Sequence, residues 1–142
     1  MATVKQILEG KGYQVWTITA DQTVYNALRL MGEKEIGALA VVEGGTLVGI
    51  LSERDYARKV VLQGKTSRET LIREIMTSPA ISIRPDQSVA ECMTLMTDRR
   101  VRHLPVLDNS KLIGMISLGD LVKSVIDEQQ FTIKQLEGYI GQ

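Results

Sequence analysis

One cysteine, one histidine and three prolines among 142 residues exclude several kinds of chemistry at once. A single thiol closes no internal disulfide, which suits a reducing compartment, read here as the cytoplasm. One histidine and one cysteine supply neither a zinc ligand set nor a thiol–imidazole nucleophile. Aromatic residues make up only 4%, so Val, Ile, Leu and Met must build the core. Charge of one sign is also missing: 17 Lys and Arg balance 17 Asp and Glu. That balance argues against a partner made of nucleic acid or anionic membrane, both of which select a basic excess. The longest unbroken apolar run, Ala38 to Val42, is far too short to span a bilayer. No charged start leads into an apolar stretch, so no signal peptide is expected. What remains, 44% hydrophobic and 24% charged, is the composition of one globular domain.

The chain repeats itself. Sliding it by 65 residues aligns Val15–Ala57 with Ala80–Val122 without a gap, and twelve of those 43 pairs are identical. Chance at this composition gives about three. Identical pairs include Asp21/Asp86, Met31/Met96, Val41/Val106, Gly49/Gly114, Ser52/Ser117 and Asp55/Asp120.

Each copy reads as strand, helix, strand, strand, helix, an α/β (α+β) pattern. Val15–Ile18 and Ile81–Ile83 suit edge strands, since Asp and Pro follow closely. Val24, Ala27, Leu28 and Met31 recur at helical spacing, as do Val89, Cys92, Met93 and Met96. Asp21 and Asp86 precede these helices as candidate caps, and Ser88 with Glu91 has capping-box spacing. Apolar runs around Gly44-Gly45 and around Asn109-Ser110 read as hairpins. A helix is expected after Ser52 and after Ser117. Thr66 to Glu69 has the spacing of another capped helix, running toward Met76. The domain plan is therefore an N-terminal helical segment at 1–14, a first repeat at 15–63, a connecting helix at 64–76, a second repeat at 77–123 and a helical extension at 124–142. A break in that extension is expected near Gln129–Thr132.

Three stretches carry a resemblance. They are Met76-Thr77-Ser78-Pro79 ahead of the second copy, Arg102-His103-Leu104-Pro105-Val106, and the closing pattern Gly-x-x-Ser-x-x-Asp at Gly49–Asp55 and Gly114–Asp120. Together they resemble a stand-alone tandem pair of CBS (cystathionine-β-synthase-type) domains. The resemblance implies two β-α-β-β-α units packed sheet to sheet about a pseudo-twofold axis. It also implies adenosine-containing ligands in the clefts between them, such as AMP, ADP, ATP, S-adenosylmethionine or NAD. Dimers are common in the family, and occupancy is passed to an effector protein.

The Ser-x-x-Asp pairs have a plain structural reading as helix starts, with Ser capping and Asp complementing the dipole. The same geometry places a carboxylate where it accepts hydrogen bonds from both ribose hydroxyls. Mapped residue by residue, the resemblance implies two unequal sites. One joins Ser52, Arg54 and Asp55 to Thr77, Ile81, Val101, Arg102 and His103. The other joins Ser117 and Asp120 to Ile36, Gly37, Ala38 and Trp16. The first is read as the cationic one, suited to phosphorylated ligands. Cys92 falls on an apolar helix stripe and reads as core. Gly64-Lys65-Thr66 lacks the earlier glycine and the preceding strand of a phosphate-binding loop. The expectation is a regulatory module, not an enzyme, with no catalytic cofactor and no metal. It binds an adenine nucleotide or NAD, forms a homodimer and signals to an effector protein. The alternative is a dimeric interaction scaffold that binds no ligand.

Overall fold

The computed structural model describes residues 2–141, which fall into two compact units. One comprises Val15–Ile81 with Ser110–Leu112; the other comprises the chain up to Gln14, Ser82–Asn109 and the chain from Ile113 onward. The element order is α1 (Val4–Lys11), β1 (Thr17–Thr19), α2 (Val24–Lys34), β2 (Ala38–Glu43), β3 (Thr46–Ser52) and α3 (Glu53–Tyr56). After a π-helical turn at Ala57–Val61 come α4 (Ile72–Ile75), α5 (Val89–Arg99), β4 (His103–Asp108), β5 (Lys111–Ser117) and α6 (Leu118–Ile140). The fold is mixed α/β, as the alternation of periods implies.

In the Val15–Ile81 unit, β1 runs parallel to β2 and β2 antiparallel to β3. The hairpin turns at Gly44 and Gly45, both at positive φ (57° and 79°), the backbone that a two-residue turn requires. Val24, Ala27 and Met31 of α2 pack with Leu39, Val41 and Leu51 of the sheet and with Val60, Ile72 and Ile75. The other unit repeats the plan with one strand fewer. Its sheet is β4–β5, turning at Asn109 and Ser110 with φ of 50° and 67°. The expected strand Ile81–Ile83 shrinks to a single parallel bridge, Ile83 to Val106. Proline explains the loss. In the first repeat the Ala40 N–H donates to the Trp16 carbonyl at 3.3 Å. Pro105 occupies the equivalent position and has no N–H to give.

Three local expectations are corrected. The caps of α2 and α5 are Thr23 and Ser88, not Asp21 and Asp86, which accept side-chain bonds from Thr19 and Arg84 instead. The Ser88–Glu91 capping box is present. No helix starts at Thr66, because the carbonyls of Ser67 and Thr70 accept from Tyr25 and Val24 at the start of α2; a helical turn forms only at Ile72–Ile75. Finally, α6 runs unbroken through Gln129–Thr132, since no proline or glycine interrupts 120–137 and the Thr132 hydroxyl bonds back to the Glu128 carbonyl.

The duplication extends further than the 65-residue register shows. Thr3, the cap of α1, bridges Ser88, the cap of α5; Leu71, the cap of α4, bridges Thr23, the cap of α2. The supporting bonds match as well: Val4 N–H to the Gln87 carbonyl at 2.9 Å and Ile72 N–H to the Gln22 carbonyl at 2.9 Å. So Thr3–Leu8 corresponds to Leu71–Met76, shifted by 68 rather than 65. The two glycines of the closing pattern show what this helical segment covers. A Cβ at Gly114 would lie 2.7 Å from Leu8 Cδ2, and one at Gly49 would lie 2.9 Å from both Met76 Sδ and the Thr77 carbonyl. Each unit thus seats an apolar side chain directly on a strand backbone.

Candidate functional site

Each unit ends its sheet in the same polar turn. In the Val15–Ile81 unit the Ser52 N–H donates to Asp55 Oδ2 at 2.9 Å, and the Asp55 N–H donates back to Ser52 Oγ at 3.2 Å. The Gly37 carbonyl accepts from the Glu53 N–H at 3.1 Å. Ala38 lies in register with Ser52 across the sheet. In the other unit the Ser117 N–H donates to Asp120 Oδ2 at 2.8 Å, the Asp120 N–H to Ser117 Oγ at 3.1 Å, and the Leu118 N–H to the Arg102 carbonyl at 2.8 Å. The reciprocal bonds satisfy two otherwise unpaired donors at each helix start and hold the carboxylate still.

The candidate residues divide between the units. Trp16, Ile36, Gly37, Ala38, Ser52, Arg54, Asp55, Thr77 and Ile81 lie in one; Val101, Arg102, His103, Ser117 and Asp120 lie in the other. Thr77 is fixed by a two-bond bridge to Ile50 at 2.9 and 3.0 Å, alongside β3. Ile36 and Gly37 line a groove of about 540 Å³ with Met31, Glu53 and Tyr56. Trp16 is half-buried under the Lys34 ammonium, 4.3 Å from the ring centroid. Arg102 is exposed and His103 is half-buried.

Two lysines that sequence reasoning overlooked complete the turns. Lys59 Nζ contacts Asp55 Oδ1 at 3.1 Å and donates to the Ile75 carbonyl at 2.9 Å. Lys11 Nζ contacts Asp120 Oδ2 at 2.7 Å and donates to the Met115 carbonyl at 2.9 Å. The first pair was discoverable, being four residues apart on one helical stretch. The second joins residues 109 apart in sequence and carries no local signal.

Burial raises the pKa of Asp120, but Lys11 and the Ser117 N–H outweigh it and hold the carboxyl below its ordinary value. Burial lowers the pKa of His103, against the opposing pull of Asp120. Near pH 7 His103 is therefore a neutral donor and acceptor. The sign gives a prediction. A histidine whose folded pKa lies below its unfolded value loses stability as pH falls through about 6.5. His103 is the only histidine. Asp120 acts in the same direction, but below the ordinary carboxylate range. Thermal melting from pH 7.5 to 5.5 should therefore show a falling midpoint, and His103→Gln should flatten it. A variant with an unchanged slope would show that His103 does not feel its burial. Cys92 stays with the core: it is buried and its thiol is pushed up to about 11.

Among the described residues, no group of three or more His, Cys, Asp or Glu is gathered as metal ligands would be. No helix there is long and apolar enough to cross a membrane.

Two copies of a sheet-and-helix unit, each closing in a Ser-x-x-Asp turn, define a CBS-type domain pair. The chain belongs to the CBS domain family, whose profile matches residues 11–62 and 72–127. The "CBS domain-containing protein CBSX3, mitochondrial" of Arabidopsis thaliana is 39% identical over 148 residues, covering 97% of this chain and 71% of that one. A solved structure of a protein with CBS domains from Burkholderia ambifaria is 57% identical, with a TM-score of 0.87, covering 93% of this chain and 99% of that one. The CBS domain pair of protein MJ0100, solved with 5′-methylthioadenosine and S-adenosyl-L-methionine, is 25% identical, with a TM-score of 0.80, covering 90% and 98%.

Proposed function

We propose that this chain is a regulatory module that binds an adenosine-containing ligand of the AMP, ATP or NAD type and reports occupancy through a change of conformation or of partner affinity. The observation that carries the reading is the pair of carboxylates, Asp55 and Asp120, each locked at a helix start by its own serine. A ribose diol offers two donors, and a carboxylate whose orientation is already fixed accepts them without further loss of freedom. The MJ0100 domain pair, solved with two adenosine compounds, supports that ligand class. Arg54, Arg102 and the neutral His103 are proposed as phosphate donors, with Thr77, Ile81, Val101, Ile36, Gly37, Ala38 and Trp16 contributing to adenosine recognition. The module is not an enzyme in this reading: the serine of each turn is engaged as a helix cap, its Oγ accepting from the aspartate N–H. It works in the cytoplasm as a homodimer, with an effector protein and without nucleic acid or membrane.

A thermal-shift panel of adenosine, AMP, ADP, ATP, NAD, NADH and S-adenosylmethionine tests this. A ligand at a hundred times its Kd adds about 2.7 kcal/mol, a rise in midpoint of roughly 5–10 °C for a chain of this length. AMP should outperform adenosine, and its advantage should shrink as salt rises. A flat panel would leave the scaffold reading in its place, and ligand turnover would make the protein an enzyme.

A further inference from the structure

From Ile126 to Gly141 every residue of the C-terminal stretch is exposed. An isolated helix of that length is marginal in water, and this one carries Ile126, Thr132, Ile133 and Ile140, whose β-branching lowers helix propensity further. Most of its apolar residues nevertheless fall on one seam, with Phe131 and Tyr139 outside it. Ile126, Ile133 and Ile140 recur every seven residues, and Val122, Gln129 and Leu136 do so three residues after the matching positions. This is an a/d seam with isoleucine at a. Its members are open: Val122 is 41% exposed, Ile126 46%, Ile133 53%, Leu136 57% and Ile140 82%. The neighbouring face, with Ser124, Asp127 and Phe131 and with Lys123 at the edge of the seam, lines the groove shared with α1.

We propose that α6 pairs antiparallel with α6 of a second copy of this chain along that seam. The inference deepens the homodimer reading above and rests on it. Charge and apolar character at the flanking positions decide the direction. The e positions are Lys123, Gln130 and Glu137; the g positions are Leu118, Val125, Thr132 and Tyr139. A parallel pair sets g against e, which would place Val125 against Gln130 and Thr132 against Glu137 of the other copy. An antiparallel pair sets e against e and g against g. Centred near Phe131, it brings Lys123 to Glu137 of the second copy and Val125 to Tyr139, so that opposite charges meet and apolar groups meet. The seam then stacks Val122 on Ile140 and Ile126 on Leu136 over about 27 Å. Gln129 meets Ile133 near the centre, a single polar position of the kind that sets register at some expense of stability.

Sedimentation or light scattering of the full chain between 1 and 100 µM should return twice 15.8 kDa. The double substitution Ile126→Glu with Ile133→Glu should weaken association at least a hundredfold while leaving the thermal midpoint at low concentration unchanged, because both residues are exposed. Lys123→Glu or Glu137→Lys alone should weaken it several-fold, and the two together should restore it. A monomeric wild type would overturn both this surface and the homodimer reading. An association that survives the isoleucine substitutions would overturn the surface and leave the homodimer standing. Charge reversals that fail to rescue one another would overturn the antiparallel pairing.

Discussion

Asp55→Ala should lower the affinity for AMP at least tenfold, and by more than a hundredfold if both ribose hydroxyls rest on that carboxylate. Hydrogen bonds to a charged acceptor contribute about 1.5–3 kcal/mol each, and each 1.4 kcal/mol is a factor of ten. The ion pairs distinguish the two turns. Asp120 is held by Lys11 at 2.7 Å, whereas Asp55 meets Lys59 at 3.1 Å, with the Lys59 side chain 44% exposed against 35% for Lys11. Withdrawing the looser, wetter lysine should cost less, which supports the proposal of Asp55 as the working carboxylate even though its own side chain is the less exposed of the two, 12% against 23%. Asp120→Ala should accordingly change AMP affinity little. Each substitution also removes a favourable charge from a helix start, worth about 0.3–1 kcal/mol, so the thermal midpoint of each variant is measured first. Calorimetric titration of both with AMP and NAD separates the cases. If Asp120→Ala abolishes binding and Asp55→Ala does not, Ser117–Asp120 is the working turn. If neither matters, the serine–aspartate pairs only cap helices.

Leu8→Ala should destabilise the protein by about 2–5 kcal/mol, as truncation of a fully buried leucine does. Leu8 has no exposed surface, and its side chain lies over Gly114, where any Cβ would collide with it. The thermal midpoint should fall by roughly 5–20 °C at 2–4 °C per kcal/mol. Leu62→Ala is the control: that residue is 75% exposed, and its truncation should cost less than about 0.5 kcal/mol. A Leu8 variant that melts with the control would make α1 a loosely attached leader. The expected result would make it a structural member of the second-repeat unit, held at the cap by Thr3 and Ser88 and at its far end by Lys11 on Asp120.

The helices, hairpins and both polar turns were legible because each is local. Val24, Ala27 and Met31 declare a helix face by spacing alone, Gly44-Gly45 declares a turn by the backbone it permits, and Ser52 with Asp55 closes a capping box over three residues. The duplication was legible for the same reason, since a gapless register needs nothing beyond the order of residues. Whatever depended on a distant partner was not. Ser88 was marked by its capping box with Glu91, but Asp21 satisfies capping preference as well as Thr23 does, and the bridge to Leu71 settles which residue opens α2. Ser67 and Thr70 belong to no helix because the start of α2, more than 40 residues earlier, takes their carbonyls. Ile81–Ile83 has strand composition, yet a ladder needs donors on both sides, and Pro105 withholds one. Lys11 reaches Asp120 across nearly the whole chain. Spacing and propensity act over a few residues, so the sequence alone determined the repeating unit and its polar turns. The tertiary structure decided which hydrogen-bonding groups find partners far along the chain, and hence where α1 sits and which cation Asp120 meets.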